Sequence, residues 1–159
     1  MASDPDSPHV IVLPPLLYVA ALAAGLLLNW AVPQPILSGG ARWWPLAALG
    51  VTLIAVGVTI AAWARSLMER AGTNVNPMLP TTAIVTTGPF RFSRNPLYIA
   101  LNLMYVGLAL LTNAAWVLAL IVPLLLVMHY GVIRREERYL DAKFGDAYRD
   151  YRTRVRRYL

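Results

Sequence analysis

Four apolar runs, each free of Asp, Glu, Lys and Arg, limit what this chain can fold into. They cover residues 10–32, 43–64, 96–112 and 114–133. Each is close to the roughly 20 residues that an α-helix needs to cross about 30 Å of hydrocarbon. Inside lipid a backbone must satisfy its own N–H and C=O groups, which selects helices here. The expected fold is therefore all-α: a polytopic integral membrane protein with about four transmembrane helices. Charged residues make up only 14% of the chain, against about 25% in soluble domains. At 159 residues it reads as a single domain, 1–159. Pro14 and Pro15 belong either in the first turn of the first helix or at a kink. Pro96 fits a first helical turn, Pro123 a kink, and Asn113 a tight turn that makes the last two runs a helical hairpin.

The segments between the runs carry the polarity. Residues 1–9 read as a short tail; with Asp4 and Asp6 they lack the basic start of a secretory signal, so the first run is expected to be retained. Residues 33–42 form a loop, and Trp43 and Trp44 suit an interfacial anchor. Residues 66–95 are the longest polar stretch between apolar runs, a length that marks a functional loop in a compact domain. With four spans, that loop and both termini share one side of the membrane, and that side holds every one of the 14 Lys and Arg residues except Arg42. The positive-inside rule makes it cytoplasmic. In residues 134–159, Phe144, Tyr148, Tyr151, Val155 and Tyr158 recur at helical spacing, with Arg149, Arg152, Arg156 and Arg157 around them. This pattern predicts an amphipathic helix lying at the interface, aromatic side toward lipid. The net charge of +6 then points to anionic lipid headgroups rather than nucleic acid.

Two segments hold the chemistry: TTGPFRFSRNPLY (86–98) and RREERYL (134–140). Asn95, Tyr98, Asn102 and Tyr105 share a helical face. An Asn inside a span faces the bundle, either as a bond between helices or as the lining of a site. His129 and Glu136 are seven residues apart and share a face of the last run. In the hairpin these two polar faces meet at one depth. Arg91 and Arg94 stand opposite Glu136 and Glu137; the bland outcome is a salt bridge closing the bundle, the sharper one a site for a zwitterion. S-adenosylmethionine, with an amino-acid zwitterion, a ribose and a stackable adenine, is compatible with such a site, but charges alone do not select it. The chain has no Cys and two His residues, His9 and His129, so no metal site is expected. Phosphate-loop, dinucleotide, zinc-protease and nucleophile-elbow motifs do not occur.

GPFRFSRNPLY, followed about forty residues later by REERYLDAKFGDAYRDYRTRVRRYL, resembles the isoprenylcysteine carboxyl methyltransferase and phospholipid methyltransferase superfamily over roughly residues 76–155. The resemblance implies an integral membrane enzyme that moves a methyl group from S-adenosylmethionine to a lipid-associated acceptor. It puts Arg94, Asn95, Pro96 and Tyr98 at cofactor-contacting positions, Glu136 and Glu137 at paired glutamates that bind cofactor or support catalysis, and Val85 and Gly88 in a loop closing over the cofactor. Asn102 and His129 join the expected cofactor-binding set as the polar faces beside it. The expected catalytic residues are Arg94, Glu136 and Glu137. Asn95 stands where carboxyl methyltransferases usually carry His, which weakens a prenylcysteine substrate and leaves an amine or phospholipid headgroup open. Two other readings compete: a nicotinamide-dependent membrane reductase of sterols or other lipids, and a lipid-binding membrane protein without enzymatic activity.

Overall fold

The computed structural model of the chain describes residues 6–38 and 43–158. Among the described residues the regular structure is helical, apart from one isolated β-bridge between Pro35 and Ala114. Helix α1 spans Pro14–Ala31, with both prolines in its first turn, where a missing N–H costs no helical hydrogen bond. The prolines thus set the start, and Val10–Leu13 lie outside the helix rather than inside it as the apolar run suggested. Helix α2 (Trp44–Arg70) continues past Ala64. Its last turns are polar and carry an Arg65–Glu69 ion pair of 2.7 Å at i,i+4 spacing. Helix α3 covers Pro96–Leu111. Helix α4 (Ala115–Phe144) runs through the fourth apolar run and on into the charged segment. It is interrupted at Leu120, three residues before Pro123, and contains a π turn over Met128–Ile133. Gly145, with φ of 52°, separates it from α5 (Asp146–Arg154). Of the four expected spans, α1, α2 and α4 are long and apolar enough to cross a membrane, whereas α3 is apolar but has 16 residues.

Small residues hold the bundle together. Gly50, Gly57 and Ala64 recur every seventh residue on the buried side of α2. A Cβ on Gly50 would fall 2.6 Å from the Gly107 carbonyl oxygen, and one on Gly107 the same distance from that of Gly50. A Cβ on Gly57 would lie 2.8 Å from the Ala100 carbonyl. The two backbones are therefore in direct contact, the arrangement by which helices associate in lipid, where apolar burial supplies no net drive. Gly25 of α1 approaches the Val117 backbone of α4 in the same way. Leu16, Val19, Leu27, Leu49, Val51, Val122 and Leu126 point outward, as a lipid-facing surface requires.

The two ends of the bundle differ. At one, Asn113 adopts φ of 52° and its side chain bonds the backbone of Leu37, while the Trp116 indole N–H donates to the Val32 carbonyl. At the other end residues 6–13, loop 71–95, the charged part of α4 and α5 come together. The basic residues gather there; Arg42, the exception, lies outside the described residues.

Replacing Gly50 by alanine should destabilise the protein by about 1–3 kcal/mol, the usual cost of overpacking a filled contact. Leu49→Ala, on the outward face, should stay within about 0.5 kcal/mol. Thermal unfolding of the two variants in detergent measures the difference.

Candidate functional site

Loop 71–95 is ordered by its own short polar side chains. The Thr73 hydroxyl, buried, accepts from the Thr82 N–H at 3.1 Å, and Thr82 Oγ1 donates to the Gly72 carbonyl at 2.7 Å. Asn74 donates to the Pro80 carbonyl, and Asn76 accepts from the Met78 N–H. Such local bonds let Thr and Asn fix a turn without a ladder. The loop ends in a single 3-10 turn, Gly88–Arg91.

The tail locks that loop in place. Tyr151 of α5 donates to the Phe90 carbonyl at 2.7 Å. Beyond α5 the chain is extended, and the Arg156 carbonyl accepts from the Arg94 N–H, while the Arg157 carbonyl accepts from Asn95 Nδ2 at 2.9 Å and from Ser93 Oγ. Arg157 then grips Glu137 with two parallel bonds of 2.9 and 2.7 Å. Arg94 Nη1 reaches the same carboxylate at 3.0 Å and also donates to Tyr148 Oη at 3.1 Å. Arg94 and Glu137 side chains are 8% and 10% exposed, so the pair is desolvated and depends on complete bonding. Hydrogen bonding to Glu137 raises the Arg157 pKa further. Burial, and next the Glu137 charge, push the Tyr148 phenol up, so it remains neutral beside Arg94.

This overturns one expectation. Tyr148 and Tyr151, at 2% and 5% exposed, do not face lipid; they pack on loop 71–95 and Arg94. The expected stripe is also shorter: Phe144 precedes the break at Gly145, and Val155 and Tyr158 lie beyond the helix, so only Tyr148 and Tyr151 share its face.

Between the loop, α3, α4 and α5 lies an open cavity. Of the residues expected at the site, Val85, Arg94, Asn95, Pro96, Tyr98, Glu136 and Glu137 line it. Tyr98 donates to Glu136 Oε2 at 2.8 Å, fixing one carboxylate oxygen. The buried Nε of Arg94 has no acceptor. Thr73, Asn74, Tyr148 and Tyr151 complete the wall; the last two were visible in the sequence as an aromatic face, but aimed elsewhere.

Three expected residues stand outside the lining. Gly88 lies against α2, where a Cβ would be 2.4 Å from Leu67 Cδ1, and its φ is 59°; its role is the turn and the close crossing. Asn102 accepts a hydrogen bond from the Tyr18 hydroxyl of α1, the bond between helices that was its bland alternative. His129 Nδ1 pairs with Tyr158 Oη at 2.7 Å. The π turn explains His129: one extra residue between it and Glu136 turns the two side chains about 100° apart on the helix. The shared face read from seven-residue spacing is thereby lost.

With the geometry in hand, comparison with known proteins is informative. The phospholipid methyltransferase family model matches residues 46–147. A protein of Haemophilus influenzae described as uncharacterized is 44% identical over 64 residues, 35% of this chain and 100% of that protein. The nickel-cobalt-cadmium resistance protein NccN of Alcaligenes xylosoxydans xylosoxydans is 31% identical over 125 residues, 76% of this chain and 55% of that protein. The cobalt-zinc-cadmium resistance protein CzcN of Cupriavidus metallidurans is 31% identical over 116 residues, 70% of this chain and 50% of that protein. The chain thus spans about half the length of these two relatives. No solved structure matches it.

Glu137→Ala removes the anion between two guanidiniums and should destabilise the protein by about 3–5 kcal/mol, as breaking a buried pair does. Arg157→Ala, at a side chain 36% exposed, should cost less, about 1.5–3 kcal/mol for its charged bonds. Denaturant titration in detergent ranks them.

Proposed function

From the premise that the chain belongs to the phospholipid methyltransferase family, we propose that its cavity binds S-adenosylmethionine and that methyl transfer occurs there to a lipid-borne acceptor. The observation that carries this reading is the set of cavity-lining groups: a buried guanidinium with an unused donor, a carboxylate with one oxygen fixed by Tyr98, and tyrosine rings. These fit an amino-acid zwitterion joined to a nucleoside. Arg94 Nε, enclosed and without an acceptor, gains one if a carboxylate lies against it, relieving a penalty of about 1–3 kcal/mol. When bound, S-adenosylmethionine supplies an electrophilic methyl group on a sulfonium.

The chain's own residues then contribute position and charge. Arg94 is held by Glu137 and Tyr148, so its guanidinium is presented without loss of side-chain freedom on binding. Glu136 accepts from Tyr98, which leaves its other oxygen for an ammonium, a ribose hydroxyl or an amine acceptor; for an amine it is also the group to take the proton. If the acceptor is a carboxylate, Arg94 orients it. Loop residues Thr81, Ala83, Ile84 and Val85 shield the cavity from water. Displacement on a sulfonium needs alignment and a suitable field more than chemical assistance from the protein.

The mouth opens at the end of the bundle that carries the basic residues. That end is read as cytoplasmic by the positive-inside rule. Leu97 of α3 and Leu140 of α4, also in the wall, suit an acceptor whose tail stays in lipid. The exposed arginines of α5, Arg152 and Arg154, are read as contacts to anionic headgroups.

Calorimetry with S-adenosylhomocysteine in detergent tests the cofactor. Wild-type protein should bind it, with affinity at least tenfold weaker in Arg94→Ala and in Glu136→Gln. NADPH binding without S-adenosylhomocysteine binding would overturn the reading in favour of a reductase. A labelled-methyl assay on a total lipid extract identifies the acceptor.

A further inference from the structure

A second recess lies against the charged part of α4, apart from the cavity lining above. It is lined by Ser7, Pro8, His9, Arg135, Arg138 and Tyr139. Residues 6–13 form its outer wall. They are held to α4 by the Ile11 N–H bond to the Gly131 carbonyl, inside the π turn. Gly131 has no side chain to obstruct this: a Cβ there would be 2.4 Å from Ile11 Cδ1. His9 adopts φ of 47°, a left-handed conformation that L side chains rarely take. Its carbonyl accepts from Arg135 Nη1 at 3.1 Å.

Among the described residues, Arg135 and Arg138 form no ion pair. Asp6, the nearest acidic side chain recorded on this segment, is engaged by Lys143 at 2.6 Å and by the Tyr139 hydroxyl at 3.0 Å. Those contacts hold its carboxyl below the usual carboxylate range. Arg138 Nε donates to the Arg134 carbonyl, and Arg135 Nη1 is spent on the His9 carbonyl. Arg135 Nε is buried and lacks an acceptor. A guanidinium fixed by a backbone carbonyl, with a desolvated donor left over, is arranged for an oxyanion. Arg135 and Arg138 lie within five residues of Ile133, the last residue of the apolar run. They therefore stand at the depth of lipid phosphates.

We propose that this recess between the N-terminal segment and α4 binds a phosphate-bearing anion through Arg135 and Arg138, as the headgroup of an anionic phospholipid or as free phosphate. The site is separate from the cavity above and does not depend on what that cavity binds. Ser7 and His9 close the recess on the side away from α4. Tyr139 joins it to the loop, since its oxygen accepts from the Thr81 N–H at 3.1 Å.

The test uses the full chain in an uncharged detergent, titrated with short-chain phosphatidylglycerol, inorganic phosphate and short-chain diacylglycerol. Saturable binding of phosphatidylglycerol alone supports the lipid headgroup; binding of both phosphate compounds supports a free-anion site. In either case Arg135→Gln should weaken binding at least tenfold, and Arg138→Gln, at an exposed residue, at least threefold. Arg70→Gln, an equal change of charge at the exposed end of α2, should leave it within twofold. Circular dichroism melting checks that each variant is folded. Diacylglycerol binding as tight as phosphatidylglycerol, equal weakening by Arg70→Gln, no effect of Arg138→Gln, or no binding of either phosphate compound would overturn the proposal.

Discussion

A carboxylate clasped by two guanidiniums holds the polar end of this protein together. Glu137 comes from α4, Arg94 from the end of the loop before α3, and Arg157 from the extended tail after α5. None of the three segments has an apolar core of its own at this end. The loop is tied by threonine and asparagine bonds, the tail by backbone bonds to Arg94, Asn95 and Ser93. Buried ion pairs of this kind add little to stability when compared with a well-packed apolar core, but they are specific in direction, and losing one partner is costly. Here that specificity sets where the cavity walls stand.

The rest of the bundle answers to the bilayer. Apolar surface gains nothing by moving from lipid to protein, so the helices meet where their backbones can touch, at Gly50, Gly57 and Gly107. The polar groups have been gathered at one end, and only a few sit deeper. Tyr18 and Asn102 satisfy each other there. Tyr105 is buried with its hydroxyl unpartnered, turned edge-on to Tyr18. This division of labour, backbone contact in the apolar part and ion pairing at the polar end, places a charged site beside a surface suited to lipid.

Much of this was legible in the residues. Runs without charge marked the helices, because one ion in hydrocarbon is prohibitive, and the motif around Arg94 and Glu136 marked the family. Helix ends were read less well where the sequence pattern and the membrane boundary differ: α2 and α4 both continue as helices beyond their apolar parts. The two larger misreadings have separate causes. Seven-residue spacing put His129 with Glu136, but a π turn changes the count, and no residue type announces one. Of the Phe144–Tyr158 stripe only Tyr148 and Tyr151 share a helix, since Gly145 breaks the chain before them and Val155 is extended after them, and an amphipathic pattern does not say whether lipid or protein lies against it. That is decided by Phe90 and Arg94, more than fifty residues earlier. Arg157 was similarly counted as surface charge because its partner lies in another element.

Glu137 and Arg157 are 20 residues apart in the chain. At the usual pace of translation, about 5–20 residues per second, the acid is made roughly one to four seconds before its second base. Arg94 already exists by then, so the cluster lacks only its second base. The tail that finishes it also supplies the carbonyls that hold Asn95 and Ser93. The walls of the cavity thus come from segments far apart in the chain, and the loop before α3 and the acid of α4 both depend on the tail for part of their bonding.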